Sequence, residues 1–153
     1  MLFADKIDAP IGCSLMGISA IPETCSKFLG MQGMHGRYSS SLASRKADLV
    51  IGIGVRFSDR ATSEGEKIES DAKIIQLDAD LAEINKNVTT DVGIACDIAD
   101  ALKRISEKCK EMKRPKWQEE NKKLKDEERK NRENRLKNEG NSLIPENIFD
   151  IIN

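Results

Sequence analysis

Short runs of apolar residues alternate with polar stretches over most of the chain. Continuous apolar runs of four to eight residues are typical of buried strands, and apolar residues at helical spacing indicate helices. The expected strands cover residues 11–16, 48–54, 73–78 and 92–96, and the expected helices cover 2–7, 37–46 and 97–112. Alternation of strand and helix is typical of a parallel sheet with right-handed crossovers. We therefore predict an α/β fold with a Rossmann-like parallel sheet flanked by helices.

The remaining segments are more polar. Residues 17–36 are expected to be rich in loops, with a brief helical turn near Pro22. Residues 80–86 predict a single helical turn, and residues 59–71 predict a polar loop. The first helix has no capping residue before it, so we expect the chain to begin inside an element of a longer protein.

The C-terminal third differs in charge from the rest. Residues 113–138 contain eleven basic and six acidic side chains, whereas the whole chain has a net charge of −1. Opposite charges recur four residues apart, which predicts a solvated, charged helical tail. A nucleic-acid-binding arm is the less favoured alternative, because the signs are mixed and Trp117 is the only aromatic residue there. We predict a globular unit over 1–112, a charged linker over 113–142 and a new element over 143–153.

Composition narrows the chemistry further. The four cysteines form no Cys-x-x-Cys pair, and His35 is the only histidine, so a metal site is not expected. No apolar run approaches the roughly 20 residues needed to span a bilayer, and no secretory segment is recognisable at the start of the chain. We expect reduced thiols, no membrane partner and a cytoplasmic location.

The segment 48–60 has the clearest functional signal. Its apolar run contains Gly52 and Gly54, which allow the backbone to bend and another group to approach closely. Arg56, Asp59 and Arg60 follow where the strand should end. Ligands of open parallel sheets bind outside the carboxyl ends of strands, and a guanidinium group matches phosphate oxygens. We infer an anionic, phosphate-bearing ligand; the alternative is an ordinary strand followed by a charged loop.

Four segments together resemble the catalytic large subunit of acetolactate synthase, also called acetohydroxyacid synthase. They are Ser14-Leu-Met-Gly17, Gly30-Met-Gln-Gly-Met-His-Gly36, Gly54-Val-Arg-Phe-Ser-Asp-Arg60 and the stretch from Asp78 to Asn87. The resemblance covers residues 2–112 and keeps the order and spacing of these motifs. It implies most of the central α/β domain of that thiamine diphosphate enzyme, without its opening strand and helix. Residues 143–153 would then begin the C-terminal cofactor domain.

In that family the central domain binds FAD, which has a largely structural role. The whole enzyme condenses pyruvate with a second 2-keto acid on thiamine diphosphate and Mg²⁺, in branched-chain amino-acid biosynthesis. The ring-activating glutamate and the Gly-Asp-Gly metal motif are not found in this sequence. The resemblance therefore implies no catalytic residue here, and we expect the isolated chain to be inactive. It also implies a homo-oligomer of catalytic subunits, a possible regulatory small subunit and no nucleic-acid partner.

The resemblance assigns residues to each part of FAD. Beside the flavin ring it places Ser14, Leu15 and Met16, and along the flavin and ribityl chain Gly33, Met34, His35 and Gly36. Near the ribityl and phosphate groups it places Gly54, Val55 and Arg56, followed by Asp59 and Arg60. Near the adenosine it places Asp78, Ala79, Glu83 and Ile84, and near the adenine Asp97 and Ile98. Ser58 stands where the family often has aspartate, which removes one carboxylate from the motif.

Elementary chemistry agrees with parts of this assignment and leaves alternatives. Asp78 at a strand end can accept hydrogen bonds from ribose hydroxyls, or it can simply cap the following turn. Met16 and Met34 can contact a flat ring, or they can belong to the core. For the whole chain two other functions stay open. One is an adenine-nucleotide module of the NAD type, and the other is a cofactor-free protein that associates with itself through an open sheet edge.

Overall fold

A computed structural model describes residues 2–58 and 72–139, together with residues 148 and 152. Its strands are β1 (Ile11–Cys13), β2 (Phe28–Met31), β3 (Leu49–Ile53), β4 (Lys73–Asp78) and β5 (Val92–Ala95). Its α-helices are α1 (Leu2–Ile7), α2 (Tyr38–Lys46), α3 (Ile98–Lys108) and α4 (Pro115–Glu139), and 3-10 helices cover Leu15–Ala20 and Leu81–Glu83. The predicted helices and the three longer predicted strands are present, and the predicted α/β fold with helices flanking parallel strands is confirmed.

All strand pairs within these residues are parallel, as predicted, but they form two sheets. β1 pairs with β2, and β3, β4 and β5 form a sheet in that order. The pairing of Ile51 with Ile75 and of Ile75 with Val92 makes β4 the central strand. β1 has three residues, and its register with β2 shifts between Ile11 and Gly12, so this pair is short and irregular.

Three features of residues 11–31 differ from the expectation. The strand predicted over 11–16 ends at Cys13, because the chain turns into a 3-10 helix after Ser14. β2 lies inside the segment expected to be loop; its four residues include Gly30, which has a φ of 95° and weakens the strand signal. The segment around Pro22 forms a turn and no helix.

The expectation that β3 is covered on both faces is wrong. Leu49 and Ile53 are 41% and 40% exposed, and all four residues of β5 are exposed. β3 and β5 are the edges of this three-stranded sheet, and no other strand among the described residues pairs with their outer sides. Burial is concentrated on β4, where Leu77 is fully buried. A continuous apolar run therefore marks the strand correctly without reporting how far it is covered.

The charged helix α4 packs on the core through one stripe. Leu124 is buried with Leu29 of β2 and Ala43 of α2, and Trp117 packs against the same cluster. Trp117, Asn121, Leu124 and Glu128 recur at helical spacing and are the buried or half-buried stripe of α4. The solvated helix predicted here is confirmed over most of its surface and wrong for this stripe. The division of the chain at residue 112 remains a prediction.

Polar contacts set the direction of α4 against α2. The N-cap residue of α2 makes no side-chain capping bond, and Glu128 takes that role: its Oε2 accepts from Ser39 Oγ at 2.6 Å and from Ser39 N at 3.4 Å. At the other end of α2, Lys46 pairs with Glu120 at 2.7 Å. The two helices are thus antiparallel. Glu128 opposes the partial positive charge at the N-terminus of α2, and Lys46 opposes the partial negative charge at its C-terminus.

Asp8 joins α1, β2 and the start of α4. Its carboxylate accepts hydrogen bonds from Lys27 Nζ, from the backbone N–H of Arg114 at 2.6 Å and from Gln118 Nε2 at 3.1 Å. The hydrogen bond from Lys27, followed by that from Arg114, holds the pKa of Asp8 below its usual value. Asp8 has a φ of 54°, which asparagine also tolerates, so Asp8→Asn removes the charge with little backbone strain.

We expect Asp8→Asn to lower the free energy of unfolding at pH 7 by about 1.5 kcal/mol, the scale of a charge-assisted hydrogen bond. The pKa of Asp8 is lower in the folded protein than in the unfolded chain. Its contribution is therefore fully present above the usual value of 3.8 and is lost as pH falls through the lowered pKa. Urea unfolding of both proteins between pH 7 and pH 2.5 should show curves that converge at the acid end. A constant difference would contradict the charge-based explanation.

Candidate functional site

The carboxyl ends of β3, β4 and β5 lie at one edge of their sheet. Because the three strands are parallel and adjacent, the residues that follow them emerge side by side. Two backbone hydrogen bonds extend the ladder past the strand ends, from Gly54 N to Leu77 O at 2.8 Å and from Cys96 N to Asp78 O at 2.9 Å. Gly54, Asp78 and Asp97 therefore lie at or just after the strand ends, at one common edge of the sheet, which we call the β3–β5 edge.

Gly52 and Gly54 serve different purposes. Gly54 has a φ of 59°, which glycine adopts without strain, and among the described residues no atom lies within 4 Å of the place where a Cβ would stand. A Cβ on Gly52 would lie 2.5 Å from the ring of Phe57, which is itself buried. The close approach expected at Gly52 is therefore made by a side chain of this protein.

Arg56 is available at the edge. Its side chain is 74% exposed, and its Nε lies 3.9 Å from Glu83 Oε1. Glu83 is nearly buried and accepts a closer contact from Lys86 Nζ at 2.8 Å, whereas its Oε2 is buried without a hydrogen-bond partner within the described structure. Two cations therefore surround one carboxylate, and the exposed guanidinium group of Arg56 can meet an anionic ligand.

The acids that follow β4 organise their own turn. Asp78 Oδ1 accepts from Asp80 N at 2.9 Å, and Asp80 Oδ1 accepts from Ala82 N at 2.9 Å. The capping alternative for Asp78 is thus confirmed, and Asp80 caps the 3-10 helix Leu81–Glu83. Ala79 lies exposed between the two acids. These bonds orient the carboxylates at the β3–β5 edge and occupy one oxygen of each.

Asp97 has the same kind of local role after β5. Its Oδ1 accepts from Asp100 N at 2.9 Å and so caps α3, as predicted, with Ile98 as the first residue of that helix. The helix ends at Lys108, earlier than the expected residue 112. A capped helix therefore begins at the β3–β5 edge and carries its positive dipole end there.

The other predicted residues lie at the carboxyl edge of the β1–β2 pair. The hydrogen bond from Gln32 N to Cys13 O at 2.8 Å aligns the ends of these strands. Leu15 and Met16, on the 3-10 helix that follows Ser14, are 68% and 92% exposed, and Met34 is 51% exposed. The core alternative for both methionines is therefore wrong. Large apolar side chains gathered at an exposed edge are a feature of binding surfaces.

Gly33 and His35 belong to the turn at that second edge. Gly33 is buried with a φ of 111°, and the hydrogen bond from Gly36 N to Gly33 O at 2.8 Å closes the turn. A Cβ on Gly36 would lie 2.6 Å from Met31 O, so only glycine fits there. His35 is exposed at the tip of the turn. Backbone demands thus explain these glycines without reference to a ligand.

Two predicted residues, Asp59 and Arg60, lie outside the described residues, as does the loop expected over 59–71. Among residues 2–58 and 72–139 no three His, Cys, Asp or Glu side chains are grouped as a metal site would need, and no helix is long and apolar enough to cross a membrane. The four cysteines are free thiols, and burial raises the pKa of Cys13.

Sequence reasoning missed Gln76, Asn85 and Asn87. Gln76 is 1% exposed on β4 and binds the backbone of both loops at the β3–β5 edge. Asn87 Nδ2 donates to Arg56 O at 2.8 Å. The available signal was a lone amide inside the apolar run Lys73-Ile-Ile-Gln-Leu-Asp78, because a buried polar side chain must find partners.

Fold and site together define a parallel α/β domain whose polar and glycine residues gather where the strands end. Residues 1–105 match the family described as "Thiamine pyrophosphate enzyme, central domain", and the chain belongs to that family. It is 43% identical over 103 residues to the acetolactate synthase large subunit of Haemophilus influenzae, covering 67% of this chain and 18% of that protein.

Two further relatives agree. Acetolactate synthase isozyme 3 large subunit of Escherichia coli is 38% identical over 103 residues, which are 67% of this chain and 18% of that protein. The probable acetolactate synthase large subunit of Methanocaldococcus jannaschii is 41% identical over 102 residues, which are 67% and 17% of the two chains. The predicted resemblance to acetolactate synthase large subunits is confirmed. The chain spans less than a fifth of the length of these relatives.

Proposed function

We propose that this chain is the FAD-binding central part of an acetolactate synthase large subunit. The observation that carries the proposal is the common β3–β5 edge. Arg56 is exposed there, next to the glycine turn at Gly54. The same edge holds Asp78 and Asp97, whose carboxylates cap the turn and the helix that follow them. An extended dinucleotide needs a cation for its diphosphate, a close-approach turn and acceptors for its ribose. The relatives, all acetolactate synthase large subunits, support the same assignment.

The residues present fit FAD chemically. Within the part of the chain that the structure describes, Glu83 Oε2 is a buried acceptor without a hydrogen-bond partner, and no atom lies within 4 Å of the Cβ position of Gly54. At the β1–β2 edge, Leu15, Met16 and Met34 expose the apolar surface that a flavin ring requires. We assign Ser14–Met16 and Gly33–His35 to the flavin and ribityl end, Gly54–Arg56 with Asp59 and Arg60 to the phosphates, and Asp78, Ala79, Glu83, Asp97 and Ile98 to the adenosine. Bound FAD supplies a rigid, structural ligand in this proposal.

The activity we propose for the full-length enzyme is condensation of pyruvate with a second 2-keto acid, on thiamine diphosphate and Mg²⁺. It would serve branched-chain amino-acid biosynthesis in the cytoplasm. Catalytic subunits would associate with one another and with a regulatory small subunit. We assign no catalytic or metal-binding residue to this chain, and we expect it to form no acetolactate by itself when these cofactors and pyruvate are supplied.

Arg56→Ala tests the phosphate assignment. We expect the Kd of the purified chain for FAD to rise about tenfold, because the loss of a charge-assisted contact is worth about 1.4 kcal/mol or more. Isothermal titration calorimetry measures this constant, and a parallel titration with NAD tests the NAD-type alternative. The matched control is Arg104→Ala, since Arg104 on α3 is 73% exposed and Arg56 is 74% exposed.

Three results would contradict these expectations. Equal FAD affinity in both variants and in the unchanged protein would overturn the role of Arg56. Binding of NAD with higher affinity than FAD would replace the flavin proposal with the nucleotide-module alternative. Absence of binding to either dinucleotide by the unchanged protein would refute the proposal that this chain binds a cofactor on its own.

The exposed edge strand β5 supports a second candidate, self-association without cofactor. All four of its residues are exposed, including Val92 at 46% and Ile94 at 40%. Such an edge offers unpaired backbone groups and apolar side chains to another chain. Sizing chromatography of the colourless protein would favour this candidate if the chain elutes as a dimer or larger and Ile94→Lys restores the monomer.

A further inference from the structure

Three residues form a row across the central sheet, and we call Gly52, Gln76 and Gly93 the Gln76 row. Gly52 of β3 pairs with Gln76 of β4, and Gln76 pairs with Gly93 of β5. Each strand thus interrupts its apolar run at the same level of the sheet. Paired positions in adjacent parallel strands lie side by side, so the glutamine side chain stands between two positions without side chains.

The two glycines admit the loops that follow β3 and β4. A Cβ on Gly52 would lie 2.5 Å from Phe57 Cζ, and a Cβ on Gly93 would lie 2.3 Å from Ile84 Cγ2. Phe57 belongs to the loop after β3, and Ile84 to the turn after β4. Both loops therefore fold back onto one face of the sheet, one on either side of Gln76.

Gln76 binds both loops at once. Its Nε2 donates to Val55 O at 3.2 Å and to Glu83 O at 3.0 Å, and its Oε1 accepts from Asn85 N at 3.3 Å. The side chain is 1% exposed, and it satisfies backbone groups that fold back over the sheet. One amide thus joins the segment before Arg56 to the segment that carries Glu83.

A second set of amides extends this connection outward. Asn87 Nδ2 donates to Arg56 O at 2.8 Å, which fixes the backbone of the exposed arginine itself. Asn85 has a φ of 61°, and its Oδ1 accepts from Thr90 N at 2.7 Å and Thr90 Oγ1 at 2.8 Å. The turn after β4 is therefore held at Gln76 on one side and at Thr90 on the other.

We propose that Gln76 is a positioning residue of the nucleotide site: it holds the loop of Arg56 and the turn of Glu83 in one geometry at the β3–β5 edge. This inference rests on the proposed function, because it specifies how the site keeps the guanidinium group of Arg56 within 3.9 Å of the Glu83 carboxylate, measured from Nε to Oε1. Gln76 itself is covered by both loops, so it acts through them and not by touching the ligand.

The test compares Gln76→Met with Ile74→Val in the full chain. Methionine keeps the length of the side chain and removes all three hydrogen bonds; Ile74 is 7% exposed on the same strand, and no hydrogen bond joins its side chain to either loop. We expect Gln76→Met to raise the Kd for FAD about tenfold and to speed amide exchange at Asn85 at least as much, a change of about 1.4 kcal/mol. We expect Ile74→Val to lower the thermal midpoint with neither effect.

Asn87→Ala keeps the proposal testable if Gln76→Met does not fold, because Asn87 is exposed and donates to the loop of Arg56. It should weaken FAD binding with an unchanged thermal midpoint. If the unchanged protein binds no FAD, the proposed function fails, and exchange at Asn85 decides on Gln76 by itself. The positioning role would be overturned if Gln76→Met matched Ile74→Val both in amide exchange at Asn85 and in affinity for FAD. If Gln76→Met is unfolded, normal FAD binding by Asn87→Ala would overturn it as well.

Discussion

Gly52→Ala is expected to lower the free energy of unfolding by about 3 kcal/mol, at the upper end of the range for overpacking. The new methyl group would lie 2.5 and 2.6 Å from two ring atoms of Phe57 and 2.9 Å from Val55 Cγ1. The ring cannot move aside cheaply, because Phe57 is buried and has a φ of 45°. Urea unfolding followed by the fluorescence of Trp117, the only tryptophan, measures the change.

The neighbouring glycine provides the control. Gly54→Asn should change stability by less than about 1 kcal/mol, because asparagine tolerates positive φ and no atom of residues 2–58 or 72–139 lies within 4 Å of the Cβ position. Gly52→Ala should also weaken FAD binding, since Phe57 lies next to Arg56 in the chain. Equal stability losses in the two variants would show that Phe57 does not occupy the space above Gly52.

Leu124→Ala is expected to lower the free energy of unfolding by about 3 kcal/mol, within the usual range for a buried leucine. Leu124 is 5% exposed and joins α4 to Leu29 and Ala43. Alanine has the higher helix propensity of the two, so any loss of stability comes from packing and not from the helix itself. The same urea titration applies, and Trp117 packs on this cluster and reports its loss directly.

Lys123→Ala is the matched control one residue away. Lys123 is 68% exposed and pairs with Glu119 on the same helix, and an exposed ion pair of this kind contributes little to stability. If α4 were an independent charged linker, Leu124→Ala and Lys123→Ala would behave alike. A large effect confined to Leu124→Ala would place the charged helix within the cooperative unit of the domain.

Local patterns sufficed for β3, β4, β5 and the α-helices, and for the edge that carries the candidate site. The apolar runs marked β3, β4 and β5, and the alternation with helices implied parallel pairing, so Gly54, Asp78 and Asp97 had to meet at one edge. The capping role of Asp97 could also be predicted, because it involves only Asp97 and Asp100, three residues apart in the sequence. The weak strand β2, interrupted by Gly30, carries too short a pattern to be seen.

The burial of the strand faces and the hydrogen bonds between the loops could not be predicted from the sequence in the same way. The exposure of Leu49 and Ile53 follows from the position of β3 at a sheet edge, which no property of its own residues reports. The charge pattern of α4 indicates a helix, but its burial through Leu124 depends on Leu29 and Ala43, many residues earlier. Gln76 was recognisable as a polar residue within an apolar run, but its hydrogen-bond partners could not be predicted.

The order of apolar and polar residues alone was enough to specify β3, β4, β5 and the α-helices, because periodicity is a short-range property, and the alternation of strand and helix then implied the shared edge of these three strands. Folding in three dimensions decided which strand faces are covered, that Phe57 fills the space above Gly52, and that α4 completes the core. Those outcomes depend on packing between segments distant in sequence, where volume and hydrogen-bond geometry act and periodicity has no influence.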